Sequence, residues 1–226
     1  MLINLHGGGF TSGSRTNSQI ESIPISAVGR TKVISVDYRL APEHTYPAAT
    51  EDVVNVYKEL LSQYDSNCIG IYGSSAGGIL TSQVVAHLLA EKLPLPGAIG
   101  MFFAAAYYWN AGDSGYFAEA IVNDPHESPQ ENPYFEKISK NDLTPFPGYS
   151  LETLTQFPPS LLISSTRDEA LSSVVHTHSR LRQLGVQADL NVWEGLNHVF
   201  LYNSNFSESR EAYQIIVDHF HKHLGE

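Results

Sequence analysis

The sequence predicts an α/β fold, mainly a parallel sheet of about six strands flanked by helices. Two observations carry this. Short apolar, β-branched runs alternate along the chain with longer stretches whose apolar residues recur every three or four positions, the pattern of strands joined by crossover helices. The chain also has 226 residues, 42% hydrophobic and 16% charged, enough for one large core and too apolar for disorder.

In chain order, strands are expected at 2–5, 32–37, 68–72, 98–104, 160–165 and 189–193. A helix is expected near 15–30. Another starts at Pro47, a residue suited to a first helical turn, and carries Ala49, Val53, Val56, Leu60 and Leu61 on one face as far as Tyr64. A third follows Ser75 to about Lys92, where "LPLPG" stops it, and others span 172–184 and 207–224. The stretch 107–157 breaks the alternation with prolines, glycines and aromatics and only short helical patches such as 116–122. Inside an otherwise regular single domain, 1–226, it is expected to be an inserted cap, with a long surface connection as the alternative.

Several function classes are disfavoured by composition. Thirteen basic residues stand against 24 acidic ones, net charge −11, with no Lys/Arg cluster to follow a phosphate backbone, so no nucleic-acid partner is expected. No apolar run approaches the roughly 18 residues of a membrane span, and "MLINLH" lacks a basic leader. Cys68 is the single cysteine, which fits a reducing compartment. The expectation is a cytoplasmic protein with no membrane partner.

The chemistry is concentrated in "CIGIYGSSAGG", where Gly73, Ser75 and Gly77 satisfy GxSxG between an apolar strand and a helical pattern. Ser74 cannot be the motif serine, because Tyr72 and Ala76 stand where it would need glycines. A serine hydroxyl needs a histidine to accept its proton and a carboxylate to fix that histidine's tautomer. Asp168 follows the strand in "LLISSTRDEAL", and His198 follows the last strand in "LNVWEGLNHVF". Both fall at carboxyl ends of strands, where open α/β sheets gather their sites. Glu169 is the alternative acid; Asp168 is preferred because it comes first after the strand. An attacked carbonyl would become an oxyanion in need of backbone donors, and Gly8 and Gly9 of "HGGGF", with Ala76 after the serine, are expected to supply them. His6 is read as an anchor of that loop.

Together "HGGGF", "DYRLAPEHTYPAA", "GSSAGG", "TRDEAL" and "EGLNHVF" resemble, in order and approximate spacing, the hormone-sensitive-lipase-like family of α/β-hydrolases, bacterial carboxylesterases and lactone hydrolases included. The resemblance implies the α/β-hydrolase fold, a catalytic triad of Ser75, Asp168 and His198, an oxyanion hole at Gly8, Gly9 and Ala76, no metal and no organic cofactor. It implies a structural role for Asp37, Arg39, Pro42 and Glu43. The implied activity is hydrolysis of small acyl esters or lactones through an acyl-enzyme. The alternatives are a non-catalytic ligand-binding protein on the same scaffold, as in the plant gibberellin receptors, and an amidase or deacetylase using the same triad. Phe103, Tyr107, Tyr108, Trp109 and Phe117 are candidates for lining a substrate pocket.

Two departures from the family pattern stand out. Ser74 occupies a position where the family usually has an aspartate. The family also carries two further strands and part of its cap ahead of HGGG, a segment this sequence is expected to lack; the 32–37 strand would then be an apolar edge, which self-association into a homo-oligomer would cover. His219 and His223 have a chelating spacing but are read as a solvated last helical turn.

Overall fold

The computed structural model describes residues 1–109, 111–122, 129–139 and 141–224. Its centre is a six-stranded sheet formed by β1 (Leu2–Leu5), β2 (Val33–Val36), β3 (Gly70–Ser74), β4 (Ala98–Phe102), β5 (Ser160–Arg167) and β6 (Ala188–Asn197). The spatial order is β2-β1-β3-β4-β5-β6, and every neighbouring pair is parallel. Parallel strands require crossovers, and helices lie on them: α1 (Thr16–Gly29), α2 (Ala48–Leu60), α3 (Ala76–Ala90), α4 (Asp113–Val122) with the single turn α5 (Leu151–Leu154), and α6 (Leu171–Gln183); α7 (Ser207–His223) follows the last strand.

The period-two alternation of strand side chains divides the core between the sheet's two faces. Ile3, Leu5 and Ile71 pack with Val53 and Tyr57 of α2, Ile79 and Leu80 of α3 and Val174 of α6. On the opposite face Leu2, Tyr72, Phe102 and Ile163 pack with Ile25 of α1 and Ile216 and Phe220 of α7. β1 is buried throughout and α3 from Ala76 to Val85, so neither shows a one-faced apolar pattern there. No helix among the described residues is long and apolar enough to cross a membrane.

All six expected strands are present, the first with the expected ends and the others with shifted ones. The third starts two residues later, because Ser66–Cys68 form a 3-10 turn and pairing with β1 begins at Leu2 opposite Gly70. The fourth stops at Phe102, since Phe103 turns the chain with φ 56°. The fifth and sixth run further, to Arg167 and Asn197, held together past an irregularity after Ser165.

Residues 107–157 contain no strand among those described; 110, 123–128 and 140 lie outside them. The segment packs near the loop after β1: Phe10 stacks on Tyr134 with ring centroids 4.3 Å apart, and the Asn132 side-chain amide donates to the Gly9 carbonyl at 3.1 Å. The Tyr134 hydroxyl accepts the N–H of Ala49 at the start of α2.

Candidate active site

Four segments end together at the carboxyl edge of the sheet: the glycine loop after β1, Ser75 after β3, Asp168 after β5 and His198 after β6. Ser75 is the one residue between 69 and 85 that is not buried. The turn responsible is strained, with φ 56° and ψ −123° at Ser75, and it is pinned by the Ser75 N–H to the Phe102 carbonyl at 2.7 Å. It also needs backbone to pass backbone. A Cβ on Gly77 would collide with the Leu5 carbonyl and come within 3.0 Å of the His6 oxygen.

His198 sits between two partners. Its Nε2 lies 2.9 Å from Ser75 Oγ and its Nδ1 2.7 Å from Asp168 Oδ1. Asp168 is wholly buried; its Oδ1 also accepts the Ala170 N–H at 2.9 Å and its Oδ2 the Ser164 hydroxyl at 2.5 Å. An ionised carboxylate only accepts, so Nδ1 carries the imidazole proton and Nε2 is left to accept from the serine. Glu169 approaches the same nitrogen at 3.4 Å but is 22% exposed, so the closer and drier carboxylate is Asp168. Phe103 closes one side of the imidazole, its ring edge-on at 5.7 Å.

The glycine loop is held by its carbonyls. Gly7 O accepts from His6 Nδ1 and the Asn17 amide, Gly8 O from the N–H groups of Thr11 and Ser12, and Gly9 O from Asn132. Gly8 adopts φ 128°, open to glycine and costly for other residues. Gly7 presses on the serine turn: a Cβ there would meet Ser75 Cβ at 3.2 Å. Ala76 is the first residue of α3, so its N–H belongs to the positive end of a 15-residue helix. His6 is buried and stacks on Tyr38 at 4.2 Å, and burial lowers its pKa, so it stays a neutral anchor.

The aromatic candidates separate. Phe103 touches the His198 ring. Tyr107 is buried and stacks on His176 of α6 at 4.2 Å, and Tyr108 is buried against Trp109, Phe135 and Phe146. Phe117 is 66% exposed on α4. In the "DYRLAPE" stretch, Asp37 accepts the Arg15 N–H at the start of α1, and Arg39 pairs with Asp52 and Glu51 of α2.

One group escaped the sequence reading and a second was read into the wrong environment. Glu21 is buried behind the glycine loop, and its Oε1 accepts the Gly7 N–H at 2.8 Å and the Tyr202 hydroxyl at 2.6 Å. The available signal was its place with Ser18, Ile25 and Gly29 on one face of α1, at spacings a helix brings together. His219, expected in a solvated turn, is instead 7% exposed beside Phe220, and burial pushes its pKa down to about 4. As for metal ligands, among the described residues Asp168, Glu169 and His198 are the group whose candidate atoms fall within 4.8 Å of one another. His198 Nδ1 is already engaged there by Asp168.

A family model described as the α/β-hydrolase fold matches residues 2–202. The crystal structure of esterase E25 is similar over 98% of this chain and 69% of its own, with 35% identity and a TM-score of 0.90. The crystal structure of an esterase from the bacterial hormone-sensitive lipase family covers 99% of this chain and 76% of that one, at 30% identity and a TM-score of 0.87. Ethyl acetate hydrolase of Pseudomonas putida is 24% identical over 99% of this chain, which spans 73% of that protein. By fold, motif order and these likenesses, the chain belongs to the α/β-hydrolase family, in its hormone-sensitive-lipase-like branch of carboxylic ester hydrolases.

Proposed function

We propose that this carboxylesterase cleaves small acyl esters or lactones through an acyl-enzyme on Ser75, with His198 as general base and acid and Asp168 as its orienting carboxylate. The observation that carries the reading is the unbroken line from Ser75 Oγ through His198 to buried Asp168, at 2.9 and 2.7 Å. Ser75 Oγ attacks the acyl carbon as its proton passes to Nε2. The carbonyl oxygen, now an alkoxide, is held by the N–H groups of Gly8, Gly9 and Ala76, each such donor contributing about 2.7–4 kcal/mol. Collapse breaks the bond to the alkoxy oxygen, which leaves as an alcohol with the Nε2 proton, and the acyl group remains on Ser75. Water then attacks the same carbon, giving a proton to Nε2, and the second collapse breaks the bond to Ser75 Oγ, which takes that proton back as the acid leaves.

Residues 107–157 act in this reading as the cap, and Phe103 as a wall of the acyl site. The protein is placed in the cytoplasm, without metal, nucleic-acid or membrane partners, and its edge strand β2, with Val33 and Ile34 half-buried, pairs with a second copy. Light scattering of the purified chain checks the last point, a monomer counting against it.

The central test is hydrolysis of a short-chain aryl ester by the wild type, Ser75→Ala and His198→Ala, with fluorophosphonate labelling of the serine. Loss of turnover in both variants and labelling of Ser75 alone are expected. Undiminished turnover by Ser75→Ala overturns the assignment.

A further inference from the structure

Glu21 carries a carboxylate in an unusual place. It is buried among Ile25, Tyr72, Phe102, Leu201 and Ile216, and none of the ion pairs among the described residues includes it. A buried carboxylate without a cation survives only if hydrogen bonds compensate its lost hydration. Three donors converge on it: the Gly7 N–H at 2.8 Å and the Tyr202 hydroxyl at 2.6 Å on Oε1, and the Asn4 side-chain amide at 3.0 Å on Oε2. The identities of these donors matter more than their number. Gly7 leads into the glycine loop and packs against the Ser75 turn, where a Cβ on it would meet Ser75 Cβ at 3.2 Å, and Tyr202 closes the 3-10 turn Phe200–Tyr202 that follows His198. One anion thus fastens the glycine loop to the His198 segment, with the Ser75 turn packed between them.

Resting on the hydrolase reading above, we propose that Glu21 is a positioning residue for ester hydrolysis: its carboxylate sets the glycine loop and the His198 segment relative to one another and, through Gly7, the Ser75 turn packed against that loop. The demand is for an anion rather than for shape. All three partners donate, so a glutamine amide, with one accepting oxygen and an NH2 group, would confront donors with donors on one side. Relaxing that clash means moving Gly7, which precedes the proposed oxyanion donor Gly8, or Tyr202, which closes the turn after His198.

The groups facing Glu21 are Tyr72 of β3, Tyr38 after β2, Tyr202, Tyr213 of α7, and His6 beside Gly7. Burial pushes the tyrosine hydroxyls upward and His6 downward, so none changes charge near neutrality. Glu21 itself is raised to about 7 by burial. Its protonation would turn one acceptor into a donor facing donors.

The experiment compares wild type, Glu21→Gln and Tyr202→Phe in the intact chain, with thermal unfolding to establish folding. Steady-state kinetics on a short-chain aryl ester are read across about pH 6–9, with affinity for a trifluoromethyl ketone as a second readout. Glu21→Gln is expected to lower kcat by about tenfold or more with KM within about threefold, to weaken the ketone by a similar factor, and to lose one ionisation from the acid limb of kcat. Tyr202→Phe, which removes one hydroxyl and preserves shape, is expected to show the same split with a smaller loss. A folded Glu21→Gln with unchanged kcat and pH profile overturns the inference; should that variant not fold, a folded Tyr202→Phe with unchanged kcat does so. Fluorophosphonate labelling of wild-type Ser75 separates the two readings, because an unlabelled, inactive wild type counts against the hydrolase assignment, whereas an active wild type matched by its variants counts against Glu21 alone.

Discussion

His198 Nδ1 lies 2.7 Å from Asp168 Oδ1 and 3.4 Å from Glu169 Oε1, two carboxylates adjacent in sequence and unequal in role. Asp168 is dry and anchored by Ser164 and the Ala170 N–H, while Glu169 is partly in water, where an ion pair is screened. Asp168→Asn should keep the shape, present a donor to Nδ1 and select the wrong tautomer, with a loss of about 10⁴ in kcat. Glu169→Gln should change kcat by less than about threefold. Steady-state kinetics on one ester distinguish them, and equal losses would mean the two carboxylates share the work.

Gly77 and Gly185 provide a contrast between crowding and conformation. Gly77→Ala would drive a methyl into the Leu5 carbonyl, fully enclosed at the crossing of β1 and α3. A stability loss of about 3 kcal/mol or more is expected, together with lost activity, because the serine turn must shift. Gly185→Ala meets nothing within 4 Å but must hold φ +80°, and should cost about 1 kcal/mol without touching turnover. Denaturant unfolding of both variants checks the ranking.

Phe103 is fully buried and sits edge-on to both His198, at 5.7 Å, and Phe200, at 5.3 Å. Phe103→Ala should cost about 3–5 kcal/mol through the cavity it leaves. Because the cavity opens beside the imidazole, kcat should fall further than the remaining folded fraction explains. Phe103→Leu, which refills most of the space, should recover much of both. Unfolding curves paired with active-site titration measure the two effects separately.

Glu21 also predicts how stability responds to pH. Its carboxyl is raised from 4.5 to about 7 on folding, so between those values the folded chain holds a proton that the unfolded chain has lost. Stability from this group therefore falls as pH rises through that window, by up to about 3 kcal/mol at 1.36 kcal/mol per unit. His219 acts in the opposite direction: its pKa is lowered on folding from 6.5 to about 4, so its contribution rises with pH over its own window. The difference between wild type and Glu21→Gln isolates the glutamate. Urea unfolding between about pH 5 and about pH 8 should show the wild type losing stability relative to the variant as pH rises; parallel curves would show that the carboxyl does not titrate there.

Arg39 tests the motif segment read as structural. Its guanidinium makes close contacts with Asp52 at 2.9 Å and Glu51 at 3.0 Å, but its side chain is 40% exposed. Arg39→Ala should cost at most about 1 kcal/mol and leave kcat unchanged, with the loss shrinking in high salt. Thermal unfolding at low and high ionic strength checks it.

Local chemistry made much of this protein legible in its sequence. Buried parallel strands must be apolar and helices between them must be amphipathic, so all six strands and the principal helices were readable, and GxSxG between strand and helix marked Ser75. Strand ends were less legible. Asn197 lies in β6 because β5 offers it a partner opposite Arg167, a fact about pairing rather than about "EGLN". Other decisions belonged to the tertiary structure alone. Order after the strand favoured Asp168 over Glu169, but that the β5 turn buries Asp168 beside the imidazole and leaves Glu169 partly in water is visible only in the fold. Tyr107 and Tyr108 look like pocket residues in the sequence and lie in packed aromatic clusters in the fold, because aromaticity does not specify which surface a residue meets. Ser74 reads in the sequence as a missing carboxylate, yet the fold places Glu21 of α1 in the same buried pocket that Ser74 lines. Sequence patterns report the average environment of each segment. The cost of burying a charge is set by the few atoms around it, and for Glu21 those atoms come from Asn4, Gly7 and Tyr202, which only folding brings together.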